Sequence, residues 1–246
     1  VISLLHLLKR IMPLAVRRRL KRQLQDYFDV PTIERSLENM RRLGFRPSSA
    51  VDIGSYKGEW TVLARKVFPE VSCLMLEAQR GQIGELEAVK RMNPQKIDYR
   101  IVLLGPENRE DAVFYEYPAP TDSSVLSILK ASEARKITCR MQTLDAILAE
   151  AGMTEPDLIK IDVQGYELEV LKAAPNSLKH VQAILMEVSL VKLYESSPIL
   201  HEVINFMFER NFVAYDVCSL MRQIKDNTLA QIDVIFVSKN SPLLAK

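Results

Sequence analysis

Two segments of this chain constrain its fold more than any others, residues 50–61 and residues 157–174. Each reads as a buried strand that delivers an acidic residue into a glycine turn opening a helix. The first is Ala50-Val51-Asp52-Ile53-Gly54-Ser55-Tyr56-Lys57-Gly58-Glu59-Trp60-Thr61. The second passes from Asp157-Leu158-Ile159-Lys160-Ile161 through Asp162-Val163-Gln164-Gly165 to Tyr166-Glu167. In an open parallel sheet such turns lie at the carboxyl edge, where ligands bind at a topological switch point. Two acidic strand ends on one edge point to a cofactor and a reaction site.

The rest of the sequence alternates short β-rich runs with longer helical stretches, the pattern of a parallel sheet covered on both faces. Strands are predicted at residues 49–54, 71–77, 98–104, 157–162, 182–188, 212–217 and 232–238. Helices are predicted at 58–68, 80–92, 143–151, 166–174 and 198–210. The last two strands are joined by a polar segment without helical periodicity, so they read as an antiparallel pair. Between residues 105 and 142 the alternation breaks. Ala112 to Tyr117 and Lys136 to Met141 look like added strands, with a polar loop at 118–124 that could select substrate. The expected fold class is α/β: a doubly wound, Rossmann-like domain with a seven-stranded, mostly parallel sheet, an antiparallel last strand and a β segment inserted after the third strand. With 48% hydrophobic residues, 8 Gly and 12 Pro, a chain of 246 residues can bury one such core.

The net charge of +2 hides an asymmetry. Residues 1–22 carry Lys9, Arg10, Arg17, Arg18, Arg19, Lys21 and Arg22 and no acid. The remainder holds 26 basic against 31 acidic residues, a net −5. Residues 1–47 are therefore read as a basic helical arm and residues 48–246 as the main domain. The apolar run before Pro13 is shorter than the roughly 20 residues a membrane span needs, and no small-residue cleavage site follows it. The arm could lie on an anionic membrane surface through residues 1–22, or cover the domain or a second copy in a homo-oligomer. No basic stripe with interleaved aromatics continues beyond it, so nucleic acid is not an expected partner. Cys73, Cys139 and Cys218 are isolated, which fits free thiols in a reducing, cytoplasmic setting rather than a zinc site or disulfides.

The turn Asp52-x-Gly54-x-x-x-Gly58 differs from the dinucleotide fingerprint G-x-G-x-x-G, because Ser55 and Tyr56 occupy its middle. Strand 71–77 ends in Glu77, 23 positions after Gly54, near the offset at which an acid takes the hydroxyls of a bound ribose. Turn and acid together indicate an adenosine-containing cofactor, either a nicotinamide or S-adenosylmethionine.

These motifs resemble the FkbM-like family of S-adenosylmethionine-dependent methyltransferases. Val51-Asp52-Ile53-Gly54 with Lys57-Gly58-Glu59-Trp60-Thr61 is similar to the family's glycine motif, and Leu76-Glu77-Ala78 to its ribose acid. Thr143-Leu144-Asp145, then Asp157 to Glu167, is similar to its most specific signature, and Leu185-Met186-Glu187-Val188 to the strand after it. Ser55-Tyr56 replace a common Ala-Asn, and Gln164 stands where Glu is frequent. The resemblance spans about residues 48–238. It implies a class I methyltransferase fold, S-adenosylmethionine held by Asp52, Gly54, Ser55, Lys57, Gly58, Glu77 and Ala78, and a hydroxyl acceptor on a sugar, glycolipid or secondary metabolite. A nicotinamide-dependent oxidoreductase and a non-catalytic cofactor-binding scaffold are the alternatives.

Methyl transfer to an alcohol needs a base or a divalent metal to remove the hydroxyl proton. Asp162 and Glu187 end adjacent strands and are the candidates, as base and orienting partner or as oxygen ligands of a magnesium ion. The structural alternative for Asp162 is a helix cap near Gly165, and Glu167 reads as a structural acid in that helix's first turn. His201 could be carried over the crevice by the loop holding Tyr194, Ser196 and Ser197. His180 should sit at the opposite edge. Ser123 and Ser124 could touch the acceptor, whose pocket is expected from residues 105–142 and the segment after Glu187.

Overall fold

The computed structural model describes residue 16 and residues 30–116, 135–193, 197–223 and 225–245. The chain divides into two compact units, residues 1–32 and residues 33–246. Most of the basic arm, the 118–124 loop with Ser123 and Ser124, and Tyr194 and Ser196 lie outside the described residues. Within the larger unit the first helix, α1 (Ile33–Arg42), buries Leu37 and Met40 in the domain core, whereas the sequence assigned these residues to the arm. Among the described residues no helix is long and apolar enough to cross a membrane.

Seven strands form the main sheet: β1 (Ser49–Ile53), β2 (Ser72–Glu77), β3 (Ile97–Ile101), β7 (Leu158–Ile161), β8 (Ala183–Ser189), β9 (Phe212–Arg222) and β10 (Leu229–Ser238). Their order is β3-β2-β1-β7-β8-β10-β9. All neighbours pair in parallel except β10, which runs antiparallel to both β8 and β9. The order reverses between β1 and β7, which is the switch point where a crevice opens beyond the strand ends.

Side chains alternate across each strand, so the two faces of the sheet bury different clusters. On one face Val51, Ile53, Ile159, Ile161, Ile184 and Met186 pack against α4 (Leu144–Glu150), α5 (Glu167–Lys172) and α6 (Leu200–Glu209), through residues such as Leu148, Leu171 and Phe206. On the other, Ala50, Cys73, Leu158, Leu185 and Val237 pack against α1 and α2 (Glu59–Val67). A shorter cluster joins Met75 to Leu86 and Val89 of α3 (Ile83–Met92).

The predicted third strand, 98–104, is divided. β3 stops at Ile101, Val102 still donates its N–H to the Glu77 carbonyl, and β4 (Leu103–Leu104) turns away to pair with β6 (Arg135–Gln142). With β5 (Arg109–Glu116) these form a second, three-stranded sheet in the order β4-β6-β5. This is the inserted β segment, and it stands beside the carboxyl edge. β9 and β10 extend further toward each other than predicted, with register shifts that absorb the twist of a long antiparallel pair.

Gly54 fixes the geometry of the edge. At φ 68 it is left-handed, and a Cβ here would run into the backbone carbonyl of Asp162. The turn after β1 thus lies directly on the end of β7, an approach that only glycine permits. Gly54→Ala should lower the unfolding free energy by more than about 2 kcal/mol, combining left-handed strain with a backbone clash. In contrast, Gly84 in α3 faces open space, so Gly84→Ala should raise it by about 0.5–1 kcal/mol. Chemical denaturation of both variants checks the opposite signs.

Candidate active site

The turn after β1 is held to the end of β2 by main-chain bonds. Gly54 and Ser55 both donate N–H to the Leu76 carbonyl, and the Tyr56 N–H reaches the Glu77 carboxylate at 2.7 Å. Glu77 also accepts from the Gln79 N–H at 2.9 Å. Burial raises its pKa, and these two N–H groups act against that rise. Tyr56 sits at φ 48, a left-handed conformation in which asparagine is commoner than tyrosine, and the Lys57 ammonium lies over its ring.

Beneath the turn runs a buried polar row on the α1/α2 face. Asp52 is fully buried and accepts from the Thr61 hydroxyl at 2.8 Å. Its neighbour across the strands is Lys160, whose Nζ donates to the Gly54 carbonyl at 3.0 Å and lies 3.7 Å from Asp52 Oδ1 and 3.4 Å from Asp162 Oδ2. Burial opposes the ammonium charge, yet Asp162 and Asp52 overcome it and hold Lys160 above the ordinary lysine range. Burial also raises the Asp52 pKa, with Lys160 and Thr61 pulling it back.

Glu187 lies two strands from Asp52, paired with Asp233 of β10. Its Oε1 accepts from the side-chain amides of Gln231 and, at 3.3 Å, Gln164. Burial first, then the charges of Asp162, Glu167 and Asp233, pushes Glu187 up to about 9. At neutral pH it therefore holds its proton. Gln164 also donates to Asp162 Oδ1 at 2.7 Å, so one amide bridges the two acids. Asp162 is not a helix cap. The N-cap of α5, Tyr166, makes no side-chain cap bond, and Glu167 instead braces the preceding turn, accepting the N–H groups of Val163 and Gly165 with its own carboxyl pushed up to about 7 by burial.

A crevice of about 490 Å³ opens over these groups. Gly54, Ser55, Tyr56, Lys57, Glu77 and Ala78 line one side, and Lys160, Asp162, Gln164 and Glu187 the other. Leu103, Leu104 and Phe114 of the second sheet also line it, as do Met221 and Gln231, a register pair of β9 and β10. Two residues expected at a ligand do not line it. Asp52 is sealed under the turn, and Gly58 serves packing, since a Cβ there would come within 2.8 Å of Met75 Sδ. His201 is not brought into the crevice either. It is exposed at the start of α6, lining a separate hollow with Leu190, Ile199 and Ile204. His180 faces Glu155 instead. Among the described residues no group of three or more His, Cys, Asp or Glu is arranged to hold a metal ion.

Lys160, Gln231 and Asp233 carried no role of their own in the sequence reading. The signal for the first and third was present as a charge inside an otherwise apolar strand, Ile159-Lys160-Ile161 and Ile232-Asp233-Val234, which a buried face tolerates only when partnered.

A family model for the methyltransferase FkbM domain matches residues 52–214. The chain belongs to the FkbM methyltransferase family. Of the two adenosine-containing cofactors, S-adenosylmethionine is the one that accords with membership in a methyltransferase family. Hexuronic acid methyltransferase AglP of Haloferax volcanii is 32% identical over 59 residues, which cover 24% of this chain and 25% of that protein. The match thus spans about a quarter of the relative. The N-terminal domain of EvdMO1, whose crystal structure was determined in the presence of SAH and D-fucose, superposes with a TM-score of 0.50 at 9% identity, covering 83% of this chain and 82% of that one. Precorrin-6y C5,15-methyltransferase from Geobacter metallireducens GS-15 gives 0.47 at 13% identity, covering 85% and 88%. At these identities the likeness to EvdMO1 concerns the fold alone.

The pKa of Glu187 makes this FkbM methyltransferase pH-sensitive in a defined direction. Glutamate titrates near 4.5 in the unfolded chain and near 9 here, so the folded state binds the extra proton between those values. Stability must then fall as pH rises through that window. Glu187→Gln removes the ionisable group while keeping an acceptor for both amides. Its melting temperature should gain on the unsubstituted protein from about pH 5 to about pH 9, and the two should converge near the unfolded value. Calorimetric melts across that range measure the difference.

Proposed function

We propose that this enzyme is an O-methyltransferase, transferring the methyl group of S-adenosylmethionine to a hydroxyl of a small-molecule or glycan acceptor. The observation that carries the reading is that the Glu77 edge and the Asp162–Glu187 pair line one crevice. A crevice of about 490 Å³ lies within the roughly 300–1,000 Å³ typical of small-ligand pockets.

The residues suit the cofactor. A carboxylate offers about four acceptor sites, so Glu77 retains capacity for ribose hydroxyls beyond the N–H groups it already accepts. Ala78, Val102 and Leu103 supply apolar surface beside it for an adenine ring. Ser55, Tyr56 and Lys57 surround the remaining part of the turn. Asp52 and Gly58 support this edge from beneath rather than by contact.

When bound, S-adenosylmethionine supplies an electrophilic methyl group on a sulfonium. Asp162 would take the acceptor's hydroxyl proton, leaving the oxygen free to receive that methyl group. Lys160 lies 3.4 Å from Asp162 and also grips the Gly54 carbonyl, so base and cofactor turn are set at a fixed spacing. Glu187, holding its proton, donates a hydrogen bond to the acceptor and orients it. The 32% identity to a hexuronic acid methyltransferase over 59 residues supports a sugar acceptor.

Asp162→Asn preserves shape and removes the base. It should bind S-adenosylhomocysteine with unchanged affinity in calorimetric titration and lose about 10²–10⁴-fold in turnover on a sugar hydroxyl. Retained turnover removes Asp162 from the mechanism, and no transfer by the unsubstituted protein to any hydroxyl acceptor favours a cofactor-binding scaffold.

A further inference from the structure

Gln164 is a crevice residue to which the mechanism above assigns no part, yet its backbone is held at φ 55, a left-handed conformation that costs a non-glycine residue free energy. That conformation places its side-chain amide between two acids from different strands. Nε2 donates to Asp162 Oδ1 at 2.7 Å and to Glu187 Oε1 at 3.3 Å, and an amide nitrogen has two hydrogens for two such bonds. The flanking groups complete the set. Lys160 Nζ lies 3.4 Å from Asp162 Oδ2, with its side chain 14% exposed, and Gln231 donates to Glu187 Oε1.

A hard divalent cation requires oxygen ligands on several sides. The oxygens that Asp162 and Glu187 would offer it, Oδ1 and Oε1, already face the Gln164 N–H groups. The ammonium of Lys160 lies on the remaining side of Asp162, where a second positive charge would be repelled. Asp162 is thus bound on both oxygens by nitrogen donors.

We propose that Gln164 is a positioning residue that locks Asp162 and Glu187 into one hydrogen-bonded unit, its carboxamide standing where a divalent cation would bridge them, so that methyl transfer here proceeds without a metal. The catalytic half of this statement rests on Asp162 acting as base. The structural half does not, and the two are separated by the readouts below.

The first readout needs no acceptor. The full chain and its Gln164→Glu and Gln164→Leu variants are melted in EDTA and in magnesium chloride. The unsubstituted protein should melt at the same temperature in both. Gln164→Glu, which sets a third carboxylate between the two acids, should be destabilised in EDTA and regain several degrees with magnesium, because an ion that binds only the folded state stabilises it. A magnesium-dependent rise in the unsubstituted protein, or no response in Gln164→Glu, overturns the proposal.

The second readout uses S-adenosylhomocysteine titration and turnover with a sugar acceptor. Gln164→Leu should bind S-adenosylhomocysteine normally and lose about tenfold or more in kcat, with an altered pH profile and no change on adding EDTA or magnesium. Loss of S-adenosylhomocysteine binding would assign Gln164 to the cofactor instead, and an unchanged kcat and pH profile would leave it no positioning role; either result overturns the proposal. If the unsubstituted protein transfers methyl to no acceptor, the O-methyltransferase reading fails while the melting experiment still decides whether the amide takes the place of an ion.

Discussion

The buried ammonium of Lys160 is the interaction on which the crevice depends. It reaches three separate groups at once: the carboxylate of Asp52 on β1, the carbonyl of Gly54 in the turn beyond it, and the carboxylate of Asp162 at the end of β7. Withdrawing charges from water is costly unless each is partnered. Here one cation offsets acids on both adjacent central strands. Asp52 Oδ1 has no hydrogen-bond partner of its own, so the nearby ammonium is its electrostatic compensation. The sealed ion pair and the ligand-facing acid are therefore parts of a single arrangement.

This arrangement explains why the geometry of the edge itself requires glycine at position 54. Lys160 can hold the Gly54 carbonyl only if the turn rests on the end of β7, and any Cβ would collide with the Asp162 backbone. Sequence reasoning assigned this glycine to the close approach of a cofactor. The structure adds a close approach to another strand's main chain, while Gly54 also lines the crevice with its neighbours.

The fold was largely legible because its signals are local. Each acid-glycine turn follows an apolar run of strand length, and the helices carry their own periodicity. The break within 98–104 was not legible, since Val102 stays bonded to Glu77 while Leu103 and Leu104 remain as apolar as a continuing strand. At the site, the order of acids along the chain placed Asp162, Glu187 and Glu77 around one crevice. It could not reveal that Asp52 points beneath the turn, because its burial follows from the face shared with Thr61 and Lys160. His201 failed for a related reason. A position on a helix after a loop says nothing about which side of the sheet edge the helix begins on.

The small β4-β6-β5 sheet joins the main sheet through the residue after β3, yet supplies Leu103, Leu104 and Phe114 to the crevice wall. Its core of Leu103, Ala112, Phe114 and Met141 is a cluster of its own. Descendants of such a chain can rewrite that wall, lengthening a hairpin or exchanging an aromatic side chain, without disturbing the ammonium-centred edge. The shape of the crevice is thereby separable from the charged edge that anchors its floor.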